Sequence, residues 1–249
     1  MKKIVAIGGG EIGSPGCPVE TTSIDKEVIR LTGKKNPRLL FIPTASSDSL
    51  GYLETIQKHF GKRLGCKIEV LWLIREKLSR EEIEQKVMSS DMVYVGGGNT
   101  LRMMRVWRAV GLDEILKKAC NKGIVLSGLS AGSICWFDAG VSDSRRFKNP
   151  DADLIKVSGL GFISATHSPH YDVEKVRRTG LKKIMQKTSG VAIAIDNCCA
   201  VEFIDNTYRV INSKSAAKAY KVYWKAGKYY EEEILKRKVF LPLSDLLQK

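Results

Sequence analysis

Three short segments of this chain carry side chains and backbone patterns suited to nucleophilic catalysis. The first is Gly128-Leu129-Ser130-Ala131-Gly132, a G-x-S-x-G pattern. A short apolar run over 124–129 precedes it, and small residues able to open a helix follow it. That is the setting of a nucleophile elbow, where a sharp strand-to-helix turn lifts a serine hydroxyl above the sheet. Glycines two residues to either side let the backbone crowd there without a Cβ clash. The helix behind the turn directs backbone N–H groups at a reacting oxygen. The plainer alternative is a Gly-Ser turn at a strand–helix junction.

A serine of this kind needs a base, and the chain has His59, His167 and His170 to offer. His59 falls in a charged helical segment over 52–63 and reads as a solvated surface residue. His167 and His170 lie in Thr166-His167-Ser168-Pro169-His170-Tyr171-Asp172, after the apolar run 160–163. Functional loops of α/β sheets sit beyond the carboxyl ends of strands. His170 is favoured over His167 because Pro169 restrains its approach, and Asp172 is placed to cap a helix over 173–187. The third segment is Gly96-Gly97-Gly98-Asn99-Thr100, between a strand over 92–95 and a helix from about 101. It matches neither a phosphate loop nor a dinucleotide fingerprint. Its backbone N–H groups can serve an anion, and beside a serine nucleophile that anion is an oxyanion shared with the N–H of Ala131. Gly8-Gly9-Gly10 suggests nucleotide binding, but the rest of that fingerprint is missing.

These segments need a scaffold. Short apolar runs at 3–7, 38–42, 67–71, 92–95 and 124–129, each bounded by Gly, Pro or charge, read as buried parallel strands. Helical patterns lie between them. Ser79-Arg80-Glu81-Glu82 is a capping box opening a helix to about residue 88, and Gly111 separates helices over 101–110 and 112–120. The predicted class is therefore α/β, a mostly parallel sheet with helices on both faces. The last third changes to β-rich hairpins over 191–195, 201–204, 208–211 and 217–224. One domain over 1–215 with a basic C-terminal extension, 216–249, packed on it is the simplest organisation.

Composition removes other classes. The 249 residues are 43% hydrophobic, enough for a sizeable core, and no apolar run reaches membrane-spanning length. No secretory signal is visible, so a cytoplasmic location is expected. Six cysteines form no C-x-x-C pair and with three histidines offer no zinc spacing, so no metal or cofactor is expected. The net charge of +14 is spread along the chain without interleaved aromatics. This argues for a basic solvated surface over a nucleic-acid groove.

Taken together, Gly96-Gly97-Gly98-Asn99-Thr100, Gly128-Leu129-Ser130-Ala131-Gly132-Ser133 and Pro169-His170-Tyr171-Asp172 with Arg177-Arg178 resemble the dipeptidase E family of serine peptidases, in order and spacing. Phe41-Ile42-Pro43-Thr44-Ala45 and the opening 4–10 add to the likeness, which covers roughly 1–215. It is nearest to an uncharacterised peptidase branch carrying Ser-Ala-Gly-Ser-Ile-Cys-Trp-Phe, here residues 130–137. The resemblance implies a class I glutamine amidotransferase-like fold, Ser130 as nucleophile, His170 as base, and the N–H groups of Gly98 and Ala131 as oxyanion hole. For the third member it offers Asp143, or the 196–197 turn, where Asp196 and Asn197 stand. It implies a small peptide substrate, with selection of an N-terminal aspartate as one option. Arg177, Arg178 and Asn99 are then candidate substrate contacts. Monomeric and homodimeric forms both suit the fold. Glutamine amidotransfer is disfavoured because a serine holds the cysteine position. Cyanophycin hydrolysis is disfavoured because Gly98-Asn99-Thr100 replaces a Gln-containing loop. The rival reading is a catalytically weakened binding protein of this fold for acidic ligands or nucleic acid.

Overall fold

A computed structural model describes residues 1–173 and 175–249. The first half alternates strand and helix: β1 (Lys3–Ile7), α1 (Thr22–Leu31), β2 (Arg38–Ile42), α2 (Leu50–Ile56), β3 (Lys67–Val70), α3 (Arg80–Met88), β4 (Met92–Val95), α4 (Thr100–Val110), α5 (Leu112–Lys122), β5 (Val125–Leu129) and the one-turn helix α6 (Ala131–Ile134). There follow β6 (Phe137–Ser142), β7 (Ile155–Ser158), β8 (Ile163–Pro169), α7 (Lys175–Gln186), β9 (Ala192–Ile195), β10 (Cys199–Ile204), β11 (Thr207–Asn212), β12 (Ala219–Lys225), β13 (Lys228–Glu233), β14 (Leu241–Pro242) and α8 (Leu243–Leu247). Of the helix expected over 173–187, Glu174 lies outside the described residues.

Among the described residues the strands form two sheets. The first runs β14-β11-β10-β1-β5-β4-β2-β3. Strands β1, β5, β4, β2 and β3 are parallel, and β10, β11 and β14 add an antiparallel flank. The second runs β13-β12-β9-β8-β6-β7, with β6, β8 and β9 parallel. The fold is α/β and mostly parallel in the strands that precede the β-rich C-terminal part. Residues 219–233 complete the second sheet, and β14 closes the edge of the first.

The packing follows from strand alternation. On β2, Leu39 and Phe41 point one way and join Ile24, Val28, Ile56 and Phe60 from α1, α2 and the turn after it. Leu40 and Ile42 point the other way, onto Ile83, Met103, Trp107 and Ile115 of α3, α4 and α5. A strand apolar on both sides must be covered on both sides, and here it is. The second sheet adds Val157, Ile163, Ile193 and Ile195 to the α3–α5 side core, while α7 covers its far face through Leu181 and Met185. No helix among the described residues is long and apolar enough to cross a membrane.

Two sequence expectations change. The second sheet was not legible as a separate layer: β6 and β7 mix polar with apolar residues, and β6 carries Asp138 and Gly140. His59 is buried, not solvated, with Nε2 2.7 Å from Asp25 Oδ2. The reason is local. After α2 the backbone continues as a π-helix over Gln57–Arg63, with the Leu64 N–H on the His59 carbonyl. This i to i+5 spacing rotates the side chains out of the 3.6-residue pattern and turns His59 inward to α1. The capping box at Ser79 forms as expected, with Glu82 N–H donating to Ser79 Oγ at 3.1 Å and Ser79 N–H to Glu82 Oε2 at 2.7 Å.

Candidate active site

Ser130 sits where β5 meets α6, with φ 58° and ψ −113°. A positive φ on a residue with a Cβ is strained and persists only where surroundings over-determine it. Ser130 N–H donates to the Ile7 carbonyl at 3.1 Å, tying the turn to β1. The two flanking glycines are required by close approach: a Cβ on Gly132 would lie 2.1 Å from the Val95 carbonyl oxygen, and one on Gly128 2.3 Å from that of Gly132. The G-x-S-x-G pattern is thus a consequence of β4, β5 and α6 converging.

His170 follows β8 directly, with φ 135°. Its Nε2 is 2.6 Å from Ser130 Oγ, and its Nδ1 is 2.7 Å from Asn197 Oδ1. An amide oxygen accepts only, so Nδ1 carries the proton, and Nε2 is left to accept from the serine hydroxyl. Asn197 is itself held by its N–H on Asp172 Oδ1 at 2.9 Å. All three residues of the Ser130–His170–Asn197 chain are half-buried. Asp172, expected as a helix cap, places that oxygen on the turn that carries Asn197.

The Gly8-Gly9-Gly10 turn contributes in a way sequence reading missed. A Cβ on Gly9 would fall 2.0 Å from Asn197 Oδ1 and 2.3 Å from His170 Nδ1. The glycine backs the His170–Asn197 contact. The available signal was the position of β1 beside β5 in a parallel sheet, which brings their carboxyl ends together.

The other candidates fall around this chain. Gly97 N–H donates to Tyr52 Oη at 3.2 Å, and a Cβ on Gly97 would be 3.5 Å from that of Ser130. The glycine run therefore packs on the elbow, with Gly98 at φ 136° against Ala45. Ala131 opens α6, where a helix leaves its first N–H groups without internal acceptors. Asn99 caps α4: its Oδ1 accepts from Arg102 N–H at 2.9 Å and its Nδ2 donates to the Ser144 carbonyl at 3.1 Å. Asp143 lies at the end of β6 and takes Arg177 Nη2 at 2.9 Å, while Arg177 Nη1 donates to the Val141 carbonyl at 3.3 Å. Arg178 pairs with Glu231 and lies over the Tyr171 ring at 4.3 Å. His167 is an interior residue of β8, not a loop residue, and is fully buried.

Asp196 turns away from His170. Its Oδ2 accepts from Lys218 N–H at 2.9 Å, and its Oδ1 is buried without a hydrogen-bond partner among the described residues. Burial pushes this carboxyl up to about 6 from 3.8. The folded protein therefore favours the protonated acid. The resulting loss of stability is absent below about pH 4, grows as pH rises through about 6 and is complete above it. Asp196→Asn keeps an oxygen for the Lys218 N–H. It is expected to raise stability by roughly 2–3 kcal/mol above neutrality and hardly at all at about pH 4. Thermal melts across that range check it, and a pH-independent difference would refute it.

Beside the elbow, Leu129 forms part of a cavity of about 340 Å³. Gly10, Glu11 and Ile12 line one side and Tyr52, Thr55 and Lys58 another.

Fold and geometry together define an α/β protein with a serine–histidine pair at a strand–helix elbow on the carboxyl edge of a parallel sheet. The sequence pattern described as peptidase family S51 matches residues 4–211. The chain belongs to that family and is a peptidase. It is 37% identical over 224 residues to the uncharacterized peptidase YgaJ of Bacillus subtilis (strain 168), covering 89% of this chain and 92% of that one. Peptidase E of Streptomyces coelicolor (strain ATCC BAA-471 / A3(2) / M145) is 29% identical over 138 residues, covering 54% of this chain and 51% of its own. The crystal structure of a peptidase from an acI-B1 Actinobacterium superposes with a TM-score of 0.71 at 19% identity, over 97% of each chain. A putative peptidase E protein from Listeria monocytogenes EGD-e gives 0.64 at 20% identity, over 85% of this chain and 98% of that one. At these identities the structural likenesses speak for the fold.

Proposed function

We propose that this peptidase hydrolyses short peptides through an acyl-enzyme on Ser130. The observation that carries the reading is the 2.6 Å contact between Ser130 Oγ and His170 Nε2, continued by Asn197 on the far side of the ring. His170 takes the hydroxyl proton as Ser130 attacks the peptide carbonyl. The N–H groups of Gly98 and Ala131 hold the developing negative charge, a role in which one lost donor costs roughly 3–4 kcal/mol of barrier. His170 then protonates the leaving amine, and water releases the acyl group. Asn197 is the orienting third member. A neutral amide fixes the histidine tautomer but stabilises the imidazolium less than a carboxylate does.

Among short peptides, those with an N-terminal aspartate are the substrates to test first. Of the two arginines, Arg177 is enclosed at 3% side-chain exposure, whereas Arg178 is 42% exposed. A substrate carboxylate would compete with Glu231 for Arg178. The test has two arms. A fluorophosphonate probe is expected to label Ser130 in the purified protein. Asp-Leu is expected to be cleaved faster than Ala-Leu or Lys-Leu. Absence of labelling would remove the acyl-enzyme; equal rates on the three dipeptides would remove the acidic selectivity and leave the mechanism standing.

A further inference from the structure

Directly behind the elbow is a second serine–histidine pair that the chemistry above does not use. Ser133 and His167 are both fully buried. Ser133 Oγ lies 2.8 Å from His167 Nε2 and 2.7 Å from the Ser130 carbonyl oxygen. His167 Nδ1 lies 2.8 Å from the Ile193 carbonyl, and the ring is stacked on Phe137 with centroids 4.6 Å apart. The Ile193 carbonyl can only accept, so Nδ1 bears a proton. Burial pushes the imidazole down to about 3, so the ring is neutral near pH 7 and Nε2 is a bare acceptor. Ser133 has one hydroxyl proton and two acceptors in reach of it.

We propose that Ser133 and His167 are positioning residues for the reaction: one hydroxyl proton, shared between the Ser130 carbonyl and His167 Nε2, pins the elbow at the angle from which the Ser130 hydroxyl meets His170. The inference rests on the reading of Ser130 as nucleophile. Three donors converge on the Ser130 carbonyl: the hydroxyl of Ser133, its N–H at 2.9 Å, and the N–H of Ile134 at 3.0 Å. Such convergence is what a strained φ needs to persist. The other end of the link is anchored on β8 and β9, the strands that carry His170 and lead into Asn197. The same two strands thus fix the base and the turn that presents the serine. The Phe137 ring limits rotation of His167 about its own axis.

The test starts from the unaltered protein, labelled with a fluorophosphonate and assayed on a dipeptide it cleaves. Ser133→Ala and His167→Gln are each expected to lower kcat and the labelling rate roughly ten-fold with KM unchanged, the effect of about one hydrogen bond. The double variant is expected to be no worse than the poorer single one, because both break one link. Nitrogen-15 shifts of His167 in the unaltered protein are expected to show Nδ1 protonated and Nε2 bare. Labelling of the unaltered protein with variants as fast as it, or additive losses, would overturn this inference alone. So would a protonated Nε2, whether or not the variants fold. A failure of the unaltered protein to label would instead overturn the acyl-enzyme, and this inference with it.

Discussion

Ser130→Ala is expected to lower kcat by roughly four orders of magnitude or more, while the thermal midpoint moves by no more than a few degrees. The size follows from its place in the chain of contacts. Ser130 Oγ is the atom 2.6 Å from His170 Nε2, and no other hydroxyl stands on that nitrogen among the described contacts. Stability should hold because the backbone of residue 130 does the structural work. Its N–H binds the Ile7 carbonyl and its own carbonyl caps the start of α6, and alanine keeps both. Oxyanion donors and binding remain in the variant, so a residual rate above the uncatalysed one is expected. Steady-state kinetics beside a thermal melt decides. Full turnover by the alanine variant would place the chemistry elsewhere in the molecule.

Gly9→Ala is expected to lower kcat/KM by roughly a hundred-fold or more, although residue 9 makes no contact with substrate in the proposed mechanism. The new methyl would overlap Asn197 Oδ1 at 2.0 Å and His170 Nδ1 at 2.3 Å. Backbone cannot easily give way there, because the Gly9 carbonyl holds the Cys198 N–H at 2.9 Å. The relief comes from swinging the Asn197 side chain and the imidazole aside, at modest cost in stability. The ring then loses its orienting acceptor and its line to Ser130. A displacement of about 1 Å in such an arrangement is worth two orders of magnitude in rate. A crystal structure of the variant together with its kinetics tests the argument. Wild-type rates with an unmoved His170–Asn197 pair would refute it.

The elbow was legible in sequence because everything that makes it is local: an apolar strand, two spaced glycines and small residues after the serine. His170 was reachable by elimination among three histidines and by the proline before it. The third member was not. Asp143, Asp196 and Asn197 are equally plausible as letters, and their separation depends on pairings distant in sequence. Asp143 is taken by Arg177 of α7, and Asp196 by the backbone of Lys218 beside β12. Asn197 is left facing the β1 turn, since neighbouring residues leaving a strand point to opposite sides. His59 was misread for a related reason, because a π-helical turn breaks the period on which surface and core are told apart. The second sheet was harder to see because β6, β7 and β8 mix polar with apolar residues, and nothing local shows that β9 pairs with β8 while the next strand, β10, joins the other sheet.

The serine belongs to one sheet, the imidazole to the other, and the asparagine to the three-residue link, 196–198, by which the polypeptide passes between them. On the proposed mechanism, hydrolytic competence is therefore a property of the seam, not of either layer. In the sequence the elbow precedes that link by some sixty residues. On the proposed reading, the hydroxyl, the imidazole and the amide come together only when the two layers have closed on each other.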